Sequence, residues 1–252
     1  MPTEADDLFD LSNRVFIIAG GGGGLARPII QALHRRGASL FLFDIDKTRL
    51  DAAAREVPSA RTLVADITDE AGLAAVTAAA TQAFGRVDGG INAAGLLPIG
   101  TASGMDLEVF RQCQEVNVTG AFMFSRAMAA AMEEGGGRIV HLASVSSYVA
   151  NPEYAAYASS KGGLRQLIRV LGREWAARGI TVNGIGPALT ETDLTRDYLA
   201  DANFRRNAIS VIPMGRLGEP EDIVGATLML LAPAGAFITG QVICVDGGRT
   251  LV

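Results

Sequence analysis

Seven short, nearly continuous apolar runs recur along the chain, at 15–19, 39–44, 62–66, 89–92, 138–144, 181–185 and 241–245. No other feature limits the possible folds so tightly. A strand with one wet face alternates polar with apolar residues, whereas a strand covered on both faces is apolar throughout. Between the runs lie longer alanine-rich amphipathic segments, near 24–36, 47–56, 70–84, 106–132, 154–178 and 220–232, which read as helices. Thr68, followed by Asp69 and Glu70, reads as the N-cap of the third. Strand alternating with helix predicts a doubly wound α/β fold: a seven-stranded parallel sheet with helices on both faces. The 252 residues suit one such domain over 1–252, and 49% hydrophobic with 19% charged residues suits a well-buried core. Residues 1–10 read as an N-terminal extension. Residues 187–219 form one long, weakly periodic stretch, expected to be a substrate-binding loop region.

Charge and composition exclude several classes. A net charge of −5 argues against nucleic acid and against anionic membrane surfaces as partners. No apolar run reaches the roughly 18 residues of a membrane span. The start, "MPTEADDLFDL", is acidic and has no basic region, so a soluble cytoplasmic protein is expected. Cys113 and Cys244 show no metal or disulfide spacing. His34 and His141 lie far apart in sequence, His34 expected on the surface and His141 within a strand, so no metal site is expected.

Five consecutive glycines, 20–24, stand between the first strand and the first helix. Each costs roughly 0.5–1 kcal/mol against alanine in ordered structure, so the backbone there must turn sharply or be approached closely. In a doubly wound fold this turn cradles the pyrophosphate of a dinucleotide at a helix N-terminus. Two registers fit the spacing: Gly21-x-Gly23-x-x-Ala26 and Gly20-xxx-Gly24-x-Ala26. Asp44 ends the second run near the ~20-residue offset at which a carboxylate meets the adenosine ribose. No GK[ST] follows the glycines, which disfavours a phosphotransferase.

A second constellation lies in "VHLASVSSYVANPEYAAYASSKGGL" (140–164). Tyr157 and Lys161 are four apart, on one face of a helix. An ammonium beside a phenol favours the phenolate and suits the pair to acid/base work. Ser144 ends the preceding strand, where ligands bind in open α/β sheets, and its hydroxyl can bond a carbonyl or alcohol oxygen.

With "AGGGGGLA" (19–26), "DIT" (66–68), "NAAG" (92–95), "NVTG" (117–120), Ser144, "YASSK" (157–161), "GPALTETDL" (186–194), "RLGEPEDI" (216–223) and "FITGQVICVDGG" (237–248), the chain resembles the short-chain dehydrogenase/reductase family from about residue 9 onward. The resemblance implies a Rossmann-type domain with Tyr157 as acid/base. Lys161 would lower its pKa and hold the nicotinamide ribose. Ser144 would orient the substrate oxygen, and Asn117 would anchor a water linking Lys161 to solvent. Gly20, Gly22, Gly23, Gly24 and Leu25 would take the pyrophosphate. Asp66 and Ile67 would border the adenine, and Asn92, Ala94 and Gly95 its ribose. Pro187, Ala188, Thr190 and Thr192 would pass near the nicotinamide and its phosphate. Ala19, Ala26, Ala93 and Ala188 depart from the family's usual threonine, glycine, asparagine and glycine; none of these changes removes a catalytic group.

Asp44 would accept from a ribose 2′-hydroxyl and repel a 2′-phosphate, so NAD is the expected cofactor. The expected reaction passes hydride between NAD(H) and a secondary alcohol or ketone of sugar, polyol or hydroxy-acid type. Leu96, Leu97, Val145, Tyr148, Asn151, Glu153 and the 189–212 loop are candidates to shape the substrate pocket. The alternative is a 3-oxoacyl-thioester reductase, which Glu133 and Glu134 disfavour, because an acidic patch repels an acidic carrier protein. A non-catalytic NAD-binding regulator would not need Asn117, Ser144, Tyr157 and Lys161 together. Apolar faces in "AFMFSRAMAAAM" and "LRQLIRVLGREWAA" predict a homo-oligomer, a tetramer by the resemblance.

Overall fold

The computed structural model describes residues 7–132 and 135–252; residues 1–6 and the predicted acidic patch at Glu133 and Glu134 lie outside the described residues. The seven apolar runs become β1 (Val15–Ala19), β2 (Ser39–Asp44), β3 (Arg61–Val64), β4 (Gly89–Asn92), β5 (Gly137–Leu142), β6 (Ile180–Pro187) and β7 (Val242–Val245). All pair in parallel, in the order β3-β2-β1-β4-β5-β6-β7. The connections are α1 (Ala26–Arg35), α2 (Lys47–Glu56), α3 (Glu70–Phe84), α4 (Leu107–Gln114), α5 (Ala121–Ala131), α6 (Ala155–Trp175), α7 (Arg196–Leu199), α8 (Ala202–Ser210) and α9 (Val224–Leu231).

Successive β1 side chains point to opposite faces and bury on both. Phe16 and Ile18 join Ile29 and Leu33 of α1 and Leu228 of α9 in one core. Ile17 and Ala19 join Val76 of α3, Phe124 of α5 and Ile168 of α6 in the other. Strand order reverses at β1, so the chain leaves β1 and β4 toward opposite sides. A crevice opens at their carboxyl ends, where Ala19 stands opposite both Phe43 and Asn92.

Several expectations need correction. β3 is an exposed edge, with Arg61, Thr62 and Val64 open to solvent, so double coverage fails there. It also ends at Val64, because Asp66 turns the chain by accepting from the Thr68 N–H and hydroxyl. The cap of α3 is Asp69, which accepts from the Ala71 N–H; Thr68 is spent on Asp66. The segment 106–132 is not one helix but α4 and α5 joined by a π-helical turn, Glu115–Gly120. Residues 187–219 carry α7 and α8, the latter capped by Asp201, over a small core of Val145, Leu199, Ile212 and Leu217. No described helix is long and apolar enough to cross a membrane.

Candidate active site

The glycine turn meets the loop after β4 backbone to backbone. Gly20 has φ +67°, and a Cβ there would stand 2.6 Å from the Ala94 nitrogen, so only glycine fits. The Gly21 N–H donates to the Phe43 carbonyl (3.0 Å) and the Gly23 N–H to the Gly20 carbonyl (2.9 Å). The Gly22 N–H donates to Asp44 Oδ2 (3.0 Å), and Asp44 Oδ1 accepts from the Asp46 N–H (2.9 Å). The carboxylate expected from the sequence thus stands against the glycine turn. A Cβ on Gly24 would lie 3.2 Å from that of Thr192, so the 190s loop arches over the same turn. Bare backbone at the N-terminus of α1, with a carboxylate beside it, suits a dinucleotide.

Beyond β4 the buried Asn92 accepts from the Ala94 N–H (3.0 Å), and its Nδ2 lies 3.4 Å from His141 Nδ1. His141 Nε2 is 2.9 Å from Ser125 Oγ, whose proton goes to the Ala121 carbonyl (2.7 Å). Ser125 must therefore accept from Nε2–H, which leaves Nδ1 as the acceptor for Asn92. Burial, then the Lys161 charge, pushes the imidazole pKa down to about 3. His34 is exposed and His141 lies in β5, as expected.

The π-helical turn faces buried Asn117 inward. Its Oδ1 accepts from the Leu96 N–H (2.8 Å), while Nδ2 donates to the Leu96 carbonyl (3.0 Å) and to Ser160 Oγ (2.9 Å). A Cβ on Gly95 would lie 3.2 Å from Asn117 Oδ1 and 3.6 Å from Lys161 Nζ. Asn117, Gly95 and Lys161 therefore stand together.

Tyr157 and Lys161 occupy the first turns of α6, four apart as expected. Lys161 Nζ donates to the Leu142 carbonyl (2.7 Å) and lies 5.6 Å from the centre of the Tyr157 ring. Burial pushes the ammonium down to about 8. It also pushes the phenol up to about 12, against the opposing pull of the Ser144 hydroxyl. In this arrangement burial, not the ammonium, dominates the phenol. Ser144 follows β5 and starts the short turn Val145–Ser147, its Oγ accepting from the Ser146 N–H (3.0 Å).

Ser144, Tyr157, Leu25, Pro187, Ala188, Thr190 and Thr192 line one cavity of about 100 Å³. The Thr190 hydroxyl donates to the Ala188 carbonyl (3.0 Å), and Thr192 bonds Thr195 (3.3 Å), so both also brace their own loop. Asp66 and Ile67 lie outside this cavity; Ile67 packs against the π-helical turn, 3.0 Å from where a Gly120 Cβ would be. Leu97, Val145 and Asn151 line it, whereas Leu96 and Tyr148 do not. Tyr148 instead stacks under Arg165, 4.3 Å away, and bonds the Val242 carbonyl. Sequence reasoning missed Tyr154, whose ring stands edge-on to Tyr157 at 6.0 Å. The three-residue helical spacing of the two tyrosines was the available signal. Ser160, the partner of Asn117, was also missed. No group of three or more His, Cys, Asp and Glu side chains with metal-ligand geometry occurs among the described residues.

A family profile described as "Enoyl-(Acyl carrier protein) reductase" matches residues 20–250. Galactitol 2-dehydrogenase (L-tagatose-forming) of Cereibacter sphaeroides is 37% identical over 97% of this chain and 98% of its own. NAD-dependent glycerol dehydrogenase of Listeria innocua is 31% identical, over 98% of this chain and 97% of its own. The crystal structure of a gluconate 5-dehydrogenase from Burkholderia cenocepacia, in complex with NADP and tartrate, matches with a TM-score of 0.93 at 30% identity. That match covers 99% of this chain and 100% of the other. Full-length likeness to alcohol dehydrogenases, over a Rossmann-type sheet with the serine, tyrosine and lysine gathered at one end, makes this chain a member of the short-chain dehydrogenase/reductase family and an oxidoreductase.

Proposed function

We propose that the protein passes a hydride between NAD(H) and a secondary alcohol, or its ketone, of sugar, polyol or hydroxy-acid type. It would do so as a cytoplasmic homotetramer. The observation that carries this reading is the cavity shared by the Ser144 and Tyr157 hydroxyls, with buried Lys161 behind them. Gly20, Gly22, Gly23, Gly24 and Leu25 would hold the pyrophosphate, with Asp44 at the adenosine ribose and Asp66 and Ile67 at the adenine. Asn92, Ala94 and Gly95 would line that ribose, and Pro187, Ala188, Thr190 and Thr192 the nicotinamide end. When bound, NAD+ supplies the hydride acceptor and a positive charge at that end of the crevice.

Tyr157 takes the alcohol proton on its phenolate oxygen during oxidation and returns it during reduction. Ser144 donates to the substrate oxygen as negative charge develops there. Lys161, whose pKa of about 8 leaves it mainly protonated at neutral pH, supplies a cation favouring the phenolate. Asn117 holds the Leu96 backbone that borders the crevice.

Support for NAD comes from Asp44, fixed by the Gly22 N–H beside the glycine turn. One relative is named NAD-dependent, whereas the gluconate dehydrogenase crystal holds NADP, so the preference is tested directly. Fluorescence titration should give tighter binding of NADH than of NADPH; equal or tighter NADPH binding refutes the assignment. A panel of polyols, sugars, hydroxy acids and 3-oxoacyl thioesters, followed by NADH absorbance, identifies the substrate class. Tyr157→Phe should lower turnover on any accepted substrate by about 10²–10⁴-fold with little change in NADH affinity. Near-normal turnover in that variant would sink the mechanism.

A further inference from the structure

Asn92 of β4, His141 of β5 and Ser125 of α5 form an unbroken hydrogen-bonded chain from the Ala94 N–H to the Ala121 carbonyl. No step of the hydride transfer uses His141 or Ser125. Both ends of the chain are backbone, and each end has one role only. The Ala94 N–H can only donate, so Asn92 meets it with Oδ1 (3.0 Å) and turns Nδ2 toward His141 Nδ1 (3.4 Å). Nδ1 must then be bare, and the proton of the neutral ring sits on Nε2. Ser125 Oγ accepts from Nε2–H (2.9 Å), which sends its own hydrogen to the Ala121 carbonyl (2.7 Å). That carbonyl can only accept, so the chain has the same polarity read from either end.

Asn92, His141 and Ser125 are 3%, 0% and 0% exposed, so bulk water does not replace a lost partner. Reversing one member therefore reverses the others. A ring with its proton on Nδ1 would face the Asn92 NH₂ donor to donor. An amide turned over to receive that proton would press its NH₂ on the Ala94 N–H.

The Ala94 N–H is where this polarity reaches the crevice. The same nitrogen would lie 2.6 Å from a Cβ on Gly20, so the Ala94 peptide rests directly on the glycine turn. Its neighbours are held by other groups: the Ala93 N–H by the Ala19 carbonyl (3.0 Å) and the Leu96 N–H by Asn117 (2.8 Å). Between them, the side chain that meets the Ala94 N–H is that of Asn92.

We propose that His141 and Ser125 are positioning residues for the cofactor. They act through Asn92, whose fixed amide holds the Ala94 peptide in place for the adenosine ribose. This rests on the dinucleotide reading above and adds to it two residues buried away from the crevice.

The chain has two histidines, of which His34 is exposed, so His34→Gln assigns the imidazole signals. Nitrogen-15 NMR of histidine-labelled protein should find the His141 proton on Nε2; a proton on Nδ1 overturns the proposal. Ser125→Ala removes the acceptor that selects this tautomer, and His141→Leu removes the ring. In both, amide exchange of segment 93–96 should quicken. Affinities for NADH and for ADP-ribose, which lacks the nicotinamide, should fall by a similar factor of about ten, the scale of one hydrogen bond. His141→Asn keeps an acceptor where Nδ1 stands and should recover most of that loss, a rescue that a mere loss of packing would not give. Thermal unfolding verifies that each variant is folded at the titration temperature. Unchanged affinities and exchange in both Ser125→Ala and His141→Leu overturn the proposal, as does a His141→Asn chain that binds no better than His141→Leu. Should the wild-type chain bind neither ligand, the dinucleotide reading fails, while the tautomer and the exchange of 93–96 still decide whether the relay fixes the Ala94 peptide.

Discussion

His141 sets part of the acid limit of this fold. In the unfolded chain its imidazole titrates near 6.5, and in the folded chain near 3. Between those values the unfolded chain binds a proton that the folded chain refuses. Stability from neutral His141 is therefore complete above 6.5 and drains away as pH falls toward 3, by on the order of a few kcal/mol. Paired carboxylates such as Asp88 and Asp222 also release stability in acid, so the informative quantity is a difference in slope. Urea unfolding between about pH 7 and about pH 4 should show a shallower decline for His141→Asn than for the wild-type chain. Parallel declines would refute the assignment. From the sequence, His141 reads only as a residue within a strand; its bonds to Asn92 and Ser125 bridge 49 and 16 residues, beyond any local pattern. Tyr157, Lys161 and Asp44 were legible because helical spacing and strand ends are local rules. Ser160 carried no such signal, since its partner Asn117 lies 43 residues away.

Helix α6 shows where legibility stops at the scale of an element. Its existence and the shared face of Tyr157 and Lys161 follow from periodicity, but the reason for Gly172 in its interior does not. A Cβ at Gly172 would meet the Gly240 nitrogen at 2.7 Å and Thr239 Oγ1 at 2.8 Å. The glycine lets the helix close on the backbone leading into β7. Gly172→Ala should force that contact apart and cost about 1–3 kcal/mol, typical of overpacking, although alanine is the better helix former. Thermal unfolding checks it; an unchanged or raised midpoint would show that the connection yields freely. The break between α4 and α5 was similarly hidden. Val116, Asn117, Val118 and Thr119 are weak helix formers, yet what demands a π-helical turn is the distant Leu96 backbone that Asn117 must reach.

On the scale of the whole molecule, the single chain leaves apolar surface near its β7 side. Phe237, Leu251, Met214 and Val252 are 103%, 84%, 74% and 73% exposed. Phe122 of α5 and Val170 of α6 are also open to solvent. Such surface is what a second copy covers, and we expect a homotetramer built through α5, α6 and the β7 edge. Light scattering should return four times the chain mass, and Phe237→Glu should shift the population toward smaller species. A monomer at micromolar concentration would contradict the expectation. The sheet itself was readable because every central strand is apolar on both faces; the exposed edge β3 departed because an edge needs less cover.

The strand order also bears on how the molecule is made. Synthesis delivers the N-terminus first. Residues through β3 can pair among themselves, since β1, β2 and β3 are neighbours; β4 then joins the free edge of β1, and β5, β6 and β7 each join the edge left by their predecessor. The sheet grows outward from β1 in the order of translation, with no strand inserted between two already placed. The glycine turn, Asp44 and the loop after β4 are together once β4 docks, whereas Lys161 and residues 187–192, proposed for the nicotinamide end, arrive only with α6 and β6. A nascent chain would therefore bring together the pieces proposed for the adenosine end of a dinucleotide before those proposed for its nicotinamide end.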